Sequence, residues 1–240
     1  MINDLTLPEK ISGMYKNAYP FPHIMIDNFL DEKVLRQVVE EFESYDNWSS
    51  DPTYKLHEVN KFYSPSNQED SLIFAAKAPI TKFVLDYMYS PAVLNYMSRL
   101  TGIENLLPDT TFLGSGMHKI KKDGKLSVHV DFNIQRETGL HRRLNVLIYL
   151  NQNWQDSWGG HLELWDKDLK TLCVKIAPIF NRVIVFNTSE ISYHGHPHPL
   201  NTPESVSRHS LALYYYTKDR PEEEKVPWHT VIWKKTDYEI

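Results

Sequence analysis

The fold class of this chain is indicated by the run RLNVLIYL at residues 143–150, in which β-branched and other apolar residues crowd a short stretch. Similar runs, separated by turn signals, recur from residue 110 onward. They predict strands at residues 111–119, 126–131, 143–150, 161–165, 174–176, 182–186 and 208–217. Many short strands between turns are typical of a β-sandwich or jelly roll. The second half of the chain is therefore predicted to be all-β.

The first half has a different pattern. Residues 21–27 read as a short strand, and Asp31 is placed to cap a following helix. Residues 44–70 are polar and rich in turn formers, whereas apolar residues recur at helical spacing over residues 71–100, broken at Pro79 and Pro91 and stopped by Gly102. The resulting expectation is a mainly β fold with flanking helices (α+β), in which an N-terminal helical layer buttresses a jelly-roll core.

Composition favours one soluble domain. We expect residues 1–240 to form a single domain, with the helical layer at about 1–105, the core at about 110–220 and a C-terminal tail at 221–240. The net charge of −5 and the scattered Lys and Arg argue against a nucleic-acid partner. One cysteine, no signal peptide and no long apolar run indicate a cytoplasmic protein without membrane contact. The sequence predicts no oligomeric state.

A metal-binding pattern runs through the β half. His129 and Asp131 are two residues apart in a predicted strand, so their side chains point to the same face. Such a pair is weak evidence by itself, because it arises often by chance. His194, just beyond the predicted strand at 182–186, offers a third ligand. Two histidines and one carboxylate form the facial triad of non-haem iron(II) oxygenases.

That triad leaves coordination positions open for a bidentate 2-oxo acid and dioxygen. The far carboxylate of a 2-oxo acid needs a fixed cation, and Arg208 heads a predicted strand beyond His194. Ser210 shares the face of Arg208, and Tyr149 can add a further hydrogen bond. Alternation along residues 143–149 places Arg143 and Asn145 on the face of Tyr149, which makes both candidates for contacting a substrate.

These elements carry a family resemblance over about residues 110–220. The ordered set resembles the 2-oxoglutarate/iron(II) oxygenases of prolyl 4-hydroxylase type, and it reads His129-Val130-Asp131, Tyr149-Leu150-Asn151 with Trp154 and Gly159-Gly160, Phe186 to His194, and Arg208-His209-Ser210. The run FPHIMIDNFL at residues 21–30 extends the likeness toward the N-terminus. The resemblance implies a double-stranded β-helix, or cupin-like jelly roll.

The resemblance also implies roles for individual residues. The metal ligands fall on His129, Asp131 and His194, and the residues for the distal carboxylate of 2-oxoglutarate fall on Arg208 and Tyr149. In the family a tyrosine often precedes the His-x-Asp motif and contacts the cosubstrate; here His118 stands near that position. The implied enzyme is an Fe(II)- and 2-oxoglutarate-dependent dioxygenase, with ascorbate as a further candidate cofactor. It hydroxylates a C–H bond with dioxygen and releases succinate and carbon dioxide, and the presence of Asp131 disfavours halogenation.

Several alternatives stay open at this point. His196 competes with His194 as the second imidazole ligand, although the interval from Phe186 favours His194. The substrate can be a prolyl or other residue of a protein or peptide, a free amino acid, or a sugar-type small molecule. A non-catalytic jelly-roll protein, either a lectin or a silent metal module, is the rival function. Arg208 separates the two, because a lectin needs no buried guanidinium beside an open metal face.

Overall fold

The computed structural model describes residues 1–65 and 68–234, and these residues form five α-helices and eleven β-strands. The helices are α1 (Leu7–Lys16), α2 (Glu32–Ser44), α3 (Gln68–Lys77), α4 (Pro79–Met88) and α5 (Pro91–Thr101). The strands are β1 (His23–Asp27), β2 (Glu58–Ser64), β3 (Leu107–Pro108), β4 (Gly116–Val130), β5 (His141–Tyr149), β6 (Leu162–Trp165), β7 (Leu172–Ile176), β8 (Arg182–Asn187), β9 (His194–His196), β10 (Arg208–Thr217) and β11 (Ile232–Trp233). Within those described ranges, every helix falls short of the length and apolar content needed to cross a membrane.

All the strands join one curled antiparallel sheet, in the order β1-β8-β5-β10-β4-β9-β6-β7. Strands β2 and β11 also pair with β4, and β3 pairs with β10. The long strand β4 links the two halves of the sheet: its first part, from Gly116 to Ile120, pairs with β10, whereas its last part reaches β9 through His129 and His194. The curled sheet therefore has the jelly-roll form expected from the sequence.

The helices cover one face of the larger half-sheet. Leu144, Val146 and Ile148 of β5 point to this face and share a buried cluster with helical side chains such as Leu35 and Val38 of α2. The opposite face of β5 carries Tyr149, which belongs to a second buried cluster inside the curl of the sheet. This alternation leaves the inner face available for a binding site.

Local signals explain the helix boundaries. The side chain of Asp31 accepts hydrogen bonds from the backbone N–H groups of Lys33 and Val34, as an N-cap does. Pro79 and Pro91 each stand in the first turn of a helix, where a missing N–H costs nothing. Gly102 ends α5 with a φ of 77°, a left-handed conformation that favours glycine. The predicted helical layer is confirmed.

Some strand predictions were wrong in their bounds. The strands predicted at 111–119 and 126–131 are parts of the single strand β4, and residues 111–115 instead form a turn around Asp109, whose carboxylate accepts from two backbone N–H groups. Strand β2 lies in the segment expected to contain only turns. Its sequence, EVNKFYS, is too polar to signal a strand, and pairing with β4 supplies the stabilisation. Of the predicted C-terminal tail, residues 235–240 lie outside the described residues.

Candidate active site

Three side chains converge inside the curl of the sheet. One ligand atom from each of His129, Asp131 and His194 lies within 4.8 Å of the other two. The Nε2 atoms of His129 and His194 stand 3.6 and 3.5 Å from the oxygens of Asp131. These separations exceed the usual hydrogen-bond range of about 2.7–3.2 Å. They suit ligand atoms at adjacent positions in the coordination shell of one ion. Among the described residues, this is the group of potential ligands that the fold gathers at one point.

The pairing of β4 with β9 creates this convergence. His129 and His194 are register partners across the two strands, and Gly195 allows the strands to approach closely. A Cβ at position 195 would lie 2.8 Å from the carbonyl oxygen of Leu126, which is too close for any other residue. The segment that reads as a histidine-rich turn is thus a short strand, and glycine lets it bring His194 close to His129 and Asp131.

Hydrogen bonds fix the tautomer of both histidines. Nδ1 of His129 lies 2.9 Å from the carbonyl oxygen of Ser127, and Nδ1 of His194 lies 2.9 Å from that of Ser192. A carbonyl can only accept, so each Nδ1 carries the proton and each Nε2 presents a lone pair to the site. Burial and the nearby His129 lower the pKa of His194 to about 4, so its imidazole is neutral at physiological pH. Both rings are prepared as metal ligands.

The carboxylate of Asp131 is held by two buried side chains. Nδ2 of Asn145 donates to its Oδ2 at 2.7 Å, and Nη2 of Arg142 lies 3.2 Å from the same oxygen. Arg142 also donates to Oδ1 of Asn145 through Nε and Nη2. Burial opposes the charge on Asp131, but the positive charge of Arg142 and contributions from the two histidines outweigh it and hold the pKa of Asp131 well below its usual range. The carboxylate is therefore both oriented and ionised.

Arg208 forms the second part of the site. Its side chain is buried, with Nε donating to the carbonyl oxygen of Gly160 at 2.8 Å and Nη2 donating to the hydroxyl of Tyr149 at 3.1 Å. The guanidinium also lies over the Tyr149 ring, 4.8 Å from its centroid. Burial lowers the pKa of Arg208, but an arginine remains charged well above physiological pH. A fixed cation without a carboxylate among these contacts suits an anionic ligand.

One cavity of about 280 Å³ contains both parts of the site. Its lining includes the three metal-ligand candidates together with Arg208, Ser210 and His118. A larger cavity of about 940 Å³ lies elsewhere, between the end of α1 and the start of the C-terminal segment, and its lining contains no member of the triad. We assign the active site to the smaller cavity, because it contains the three candidate metal ligands and Arg208.

The structure brings most of the predicted site residues together. His129, Asp131, His194, Arg208, Ser210, His118 and Asn145 line the cavity, and Tyr149 supports Arg208 from behind. His118 uses Nε2 to donate to the carbonyl oxygen of Gly114, and burial and the charge of Lys61 lower its pKa to about 3. Both polar atoms of Asn145 are hydrogen-bonded to Asp131 and Arg142. Asn145 thus contacts the residues around the triad, and its contact with a substrate stays a prediction.

Arg143 does not reach the cavity, and the prediction that strand alternation puts it there was wrong. A bulge interrupts the pairing of β5 with β10: Leu144 is opposite Tyr215 and Arg142 is opposite Tyr216, which leaves Arg143 without a register partner. Arg143 instead contacts Thr217 and Glu224 in the larger cavity. The bulge turns Arg142 toward Asp131. Of the Arg142-Arg143 doublet, Arg142 is therefore the member that reaches the cavity.

Trp233 was also missed, and the sequence contained no signal for it. Strand β11 pairs with the end of β4 and sets Trp233 opposite His129, with 4.9 Å between their ring centroids. The Trp233 ring also stacks nearly parallel on the ring of His57, with 4.7 Å between the ring centroids. A segment about a hundred residues from His129 in sequence thus forms part of the cavity wall.

The chain is similar to known proteins in sequence. The model of the 2OG-Fe(II) oxygenase superfamily matches residues 115–216, a segment that holds the triad and Arg208. A prolyl 3,4-dihydroxylase, OGFOD1, of Ostreococcus tauri is 24% identical over 220 residues, which cover 85% of this chain and 39% of that protein. The chain therefore spans about two fifths of the length of this relative.

Solved structures show the same fold. A prolyl hydroxylase of Trichoplax adhaerens, in complex with a hypoxia-inducible-factor peptide, superposes with a TM-score of 0.62 at 21% identity and covers 89% of this chain and 92% of its own. HygX of Streptomyces hygroscopicus, solved with nickel and 2-oxoglutarate bound, superposes with a TM-score of 0.55 at 12% identity. The match covers 87% of this chain and 92% of HygX. The two imidazoles and one carboxylate fit iron(II), and the buried guanidinium fits 2-oxoglutarate. The resemblance is confirmed: residues 115–216 match the model of the 2OG-Fe(II) oxygenase superfamily, and the solved structures share the fold.

Proposed function

We propose that this protein is an Fe(II)- and 2-oxoglutarate-dependent dioxygenase that hydroxylates prolyl residues of a protein or peptide. The observation that carries the proposal is the presence of His129, Asp131, His194 and the buried Arg208 in one cavity. A lectin-like or silent metal module has no use for such a cation opposite the triad. No feature of the described residues favours that rival.

The residues of the chain would act as follows. Iron(II), 2-oxoglutarate and dioxygen, when bound, supply an oxidative decarboxylation that yields succinate and carbon dioxide and adds one oxygen atom to a substrate C–H bond. His129 and His194 offer their Nε2 atoms, and Asp131 offers an oriented carboxylate. Arg208 neutralises and orients the distal carboxylate of the cosubstrate. Leu147 and Leu162 contribute apolar wall to the cavity and limit the access of water.

The prolyl substrate is supported by the cavity wall and by the relatives. Aromatic side chains are prominent in the cavity lining, namely those of Tyr54, Tyr63, Phe132, Tyr214 and Trp233. Aromatic surfaces are the usual docking partners of proline-containing segments. The Ostreococcus relative is a prolyl dihydroxylase, and the Trichoplax structure is a prolyl hydroxylase holding a peptide. A peptide substrate therefore agrees better with these observations than a sugar does.

The test is a turnover assay with proline-containing peptides. The protein is stripped of metal, reloaded with iron(II), and incubated with 2-oxoglutarate, air and a peptide library. We expect stimulated succinate formation and gain of one oxygen atom on a peptide, located by amino-acid analysis as hydroxyproline. A matched peptide with alanine in place of that proline should be inert. Hydroxylation of free amino acids alone would contradict the peptide substrate.

A binding assay without turnover tests the metal and cosubstrate assignments separately. Under anaerobic conditions, iron(II) and 2-oxoglutarate together should produce a weak visible charge-transfer band. The band should disappear in His194→Ala, which lacks a ligand, and in Arg208→Ala, which lacks the anchoring cation. An unchanged band in both variants would refute the site. Metal analysis comes first, because nickel or zinc can displace iron(II) from such sites.

The remaining expectations belong to the same proposal. We treat residues 1–240 as one oxygenase domain that acts in the cytoplasm on a peptide and dioxygen, without nucleic-acid or membrane partners. The net charge of −5 and the scattered basic residues support the absence of a nucleic-acid partner. Fractionation of cells that express the protein, followed by detection in the soluble fraction, tests the compartment.

A further inference from the structure

His196 is a buried histidine that the proposed chemistry does not yet use. Its side chain is 3% exposed, and neither ring nitrogen has a hydrogen-bond partner among residues 1–65 and 68–234. It also lies outside the group of ligand atoms formed by His129, Asp131 and His194. Leaving a buried donor or acceptor unpaired is unfavourable, so such a side chain is expected to meet a partner that the protein itself does not supply.

The position of His196 indicates what that partner is. His196 follows His194 by two residues on β9, so both side chains leave the strand on the same face and line the same cavity. The registers along β4 locate it: His194 is opposite His129, His196 is opposite Leu126, and Arg208 is opposite Ile120. His196 is thus displaced from the triad along β4 in the direction of Arg208.

The contacts of Arg208 leave room for a second donor. Two of its nitrogens already donate within the protein, Nε to Gly160 and Nη2 to Tyr149. A carboxylate can accept about four hydrogen bonds, more than the remaining N–H groups of one guanidinium can direct at it. The imidazole of His196, which lines the same cavity as Arg208, can donate one N–H to the same group. We infer that His196 is a binding residue that donates a hydrogen bond to the distal carboxylate of 2-oxoglutarate.

This inference rests on the proposed function, and its test measures binding without turnover. The protein is loaded with nickel, and 2-oxoglutarate is titrated by calorimetry. Loss of one hydrogen bond to a charged group predicts that His196→Leu binds 2-oxoglutarate about tenfold more weakly or worse. His196→Gln keeps an N–H in the cavity and should recover most of that loss. Nickel affinity should be unchanged in both variants, because His196 is not a metal ligand.

A second ligand identifies which end of the cosubstrate is bound. The compound 2-oxovalerate has the same chain length but lacks the distal carboxylate, so wild type and His196→Leu should bind it equally. His209→Leu is the matched control: His209 also has a buried, unpartnered Nε2 among the described residues, yet it packs on Phe42 outside the cavity. This control should bind 2-oxoglutarate as wild type does.

The possible outcomes separate the inference from the proposed function. The inference is overturned if the dissociation constants of wild type and His196→Leu for 2-oxoglutarate agree within twofold. The proposed function is then unaffected. An equal loss for 2-oxoglutarate and 2-oxovalerate overturns it too, because His196 would then act at the metal-chelating end. If wild type binds no 2-oxoglutarate, the inference about His196 and the proposed function are both refuted. Should His196→Leu not fold, His196→Met, which also lacks a donor, takes its place.

Discussion

Asn145 links the proposed metal ligand Asp131 to Arg142, and the variant Asn145→Leu tests whether this link prepares the site. Leucine has nearly the same shape as asparagine but removes the 2.7 Å hydrogen bond to Asp131 and the two bonds from Arg142, at 3.0 and 2.6 Å. Side chains that orient a ligand contribute about 10- to 100-fold in metal affinity. We therefore expect a loss of about 1.4–2.7 kcal/mol in the free energy of metal binding.

The assay is a competition titration of nickel against a chelator, with urea unfolding of the metal-free protein beside it. The loss of these charge-assisted bonds should lower the free energy of unfolding on the order of 3 kcal/mol. Asn151→Leu is the matched control, because Asn151 is also buried and bonds Pro178 and His209 away from the ligand set. That variant should lose stability but keep its nickel affinity.

The reasoning is refuted if Asn145→Leu binds nickel within twofold of wild type. It is also refuted if Asn145→Leu and Asn151→Leu lose nickel affinity equally, since the effect would then reflect general destabilisation. Retention of the wild-type free energy of unfolding would show that the hydrogen bonds around Asp131 contribute little to the metal-free protein.

Further predictions concern Arg208, Trp233 and His209. Arg208→Lys should bind 2-oxoglutarate at least about tenfold more weakly, measured by calorimetry on the nickel form, because lysine cannot reproduce the forked contacts to Gly160 and Tyr149. Because the Trp233 ring lies 4.9 Å from that of His129, nickel binding should quench its fluorescence, and Trp233→Phe should lose most of that signal. Burial lowers the pKa of His209 from the usual 6.5 to about 4, so the unfolded chain binds a proton between these values that the folded chain does not. Stability should therefore fall as the pH is lowered through that window, and urea unfolding should show a smaller fall in His209→Gln.

The sequence was most informative where local rules act alone. Alternation and turn spacing predicted the jelly-roll half, and β10 has the predicted bounds of 208–217. Asp31 and Gly102 marked a helix start and a helix end correctly, because capping depends on neighbouring residues only. The His-x-Asp spacing indicated two side chains on one face, and the cavity contains both.

Tertiary structure decided what depends on partners distant in sequence. The bulge in β5 arises from its pairing with β10, so residue spacing could not show that Arg142, and not Arg143, reaches Asp131. The register of β9 against β4 settled which histidine meets His129 and left His196 lining the cavity without a partner among the described residues. The sequence shows which residues have side chains able to bind a metal or an anion. Their distances and their burial follow from long-range strand pairing, which has no local signature.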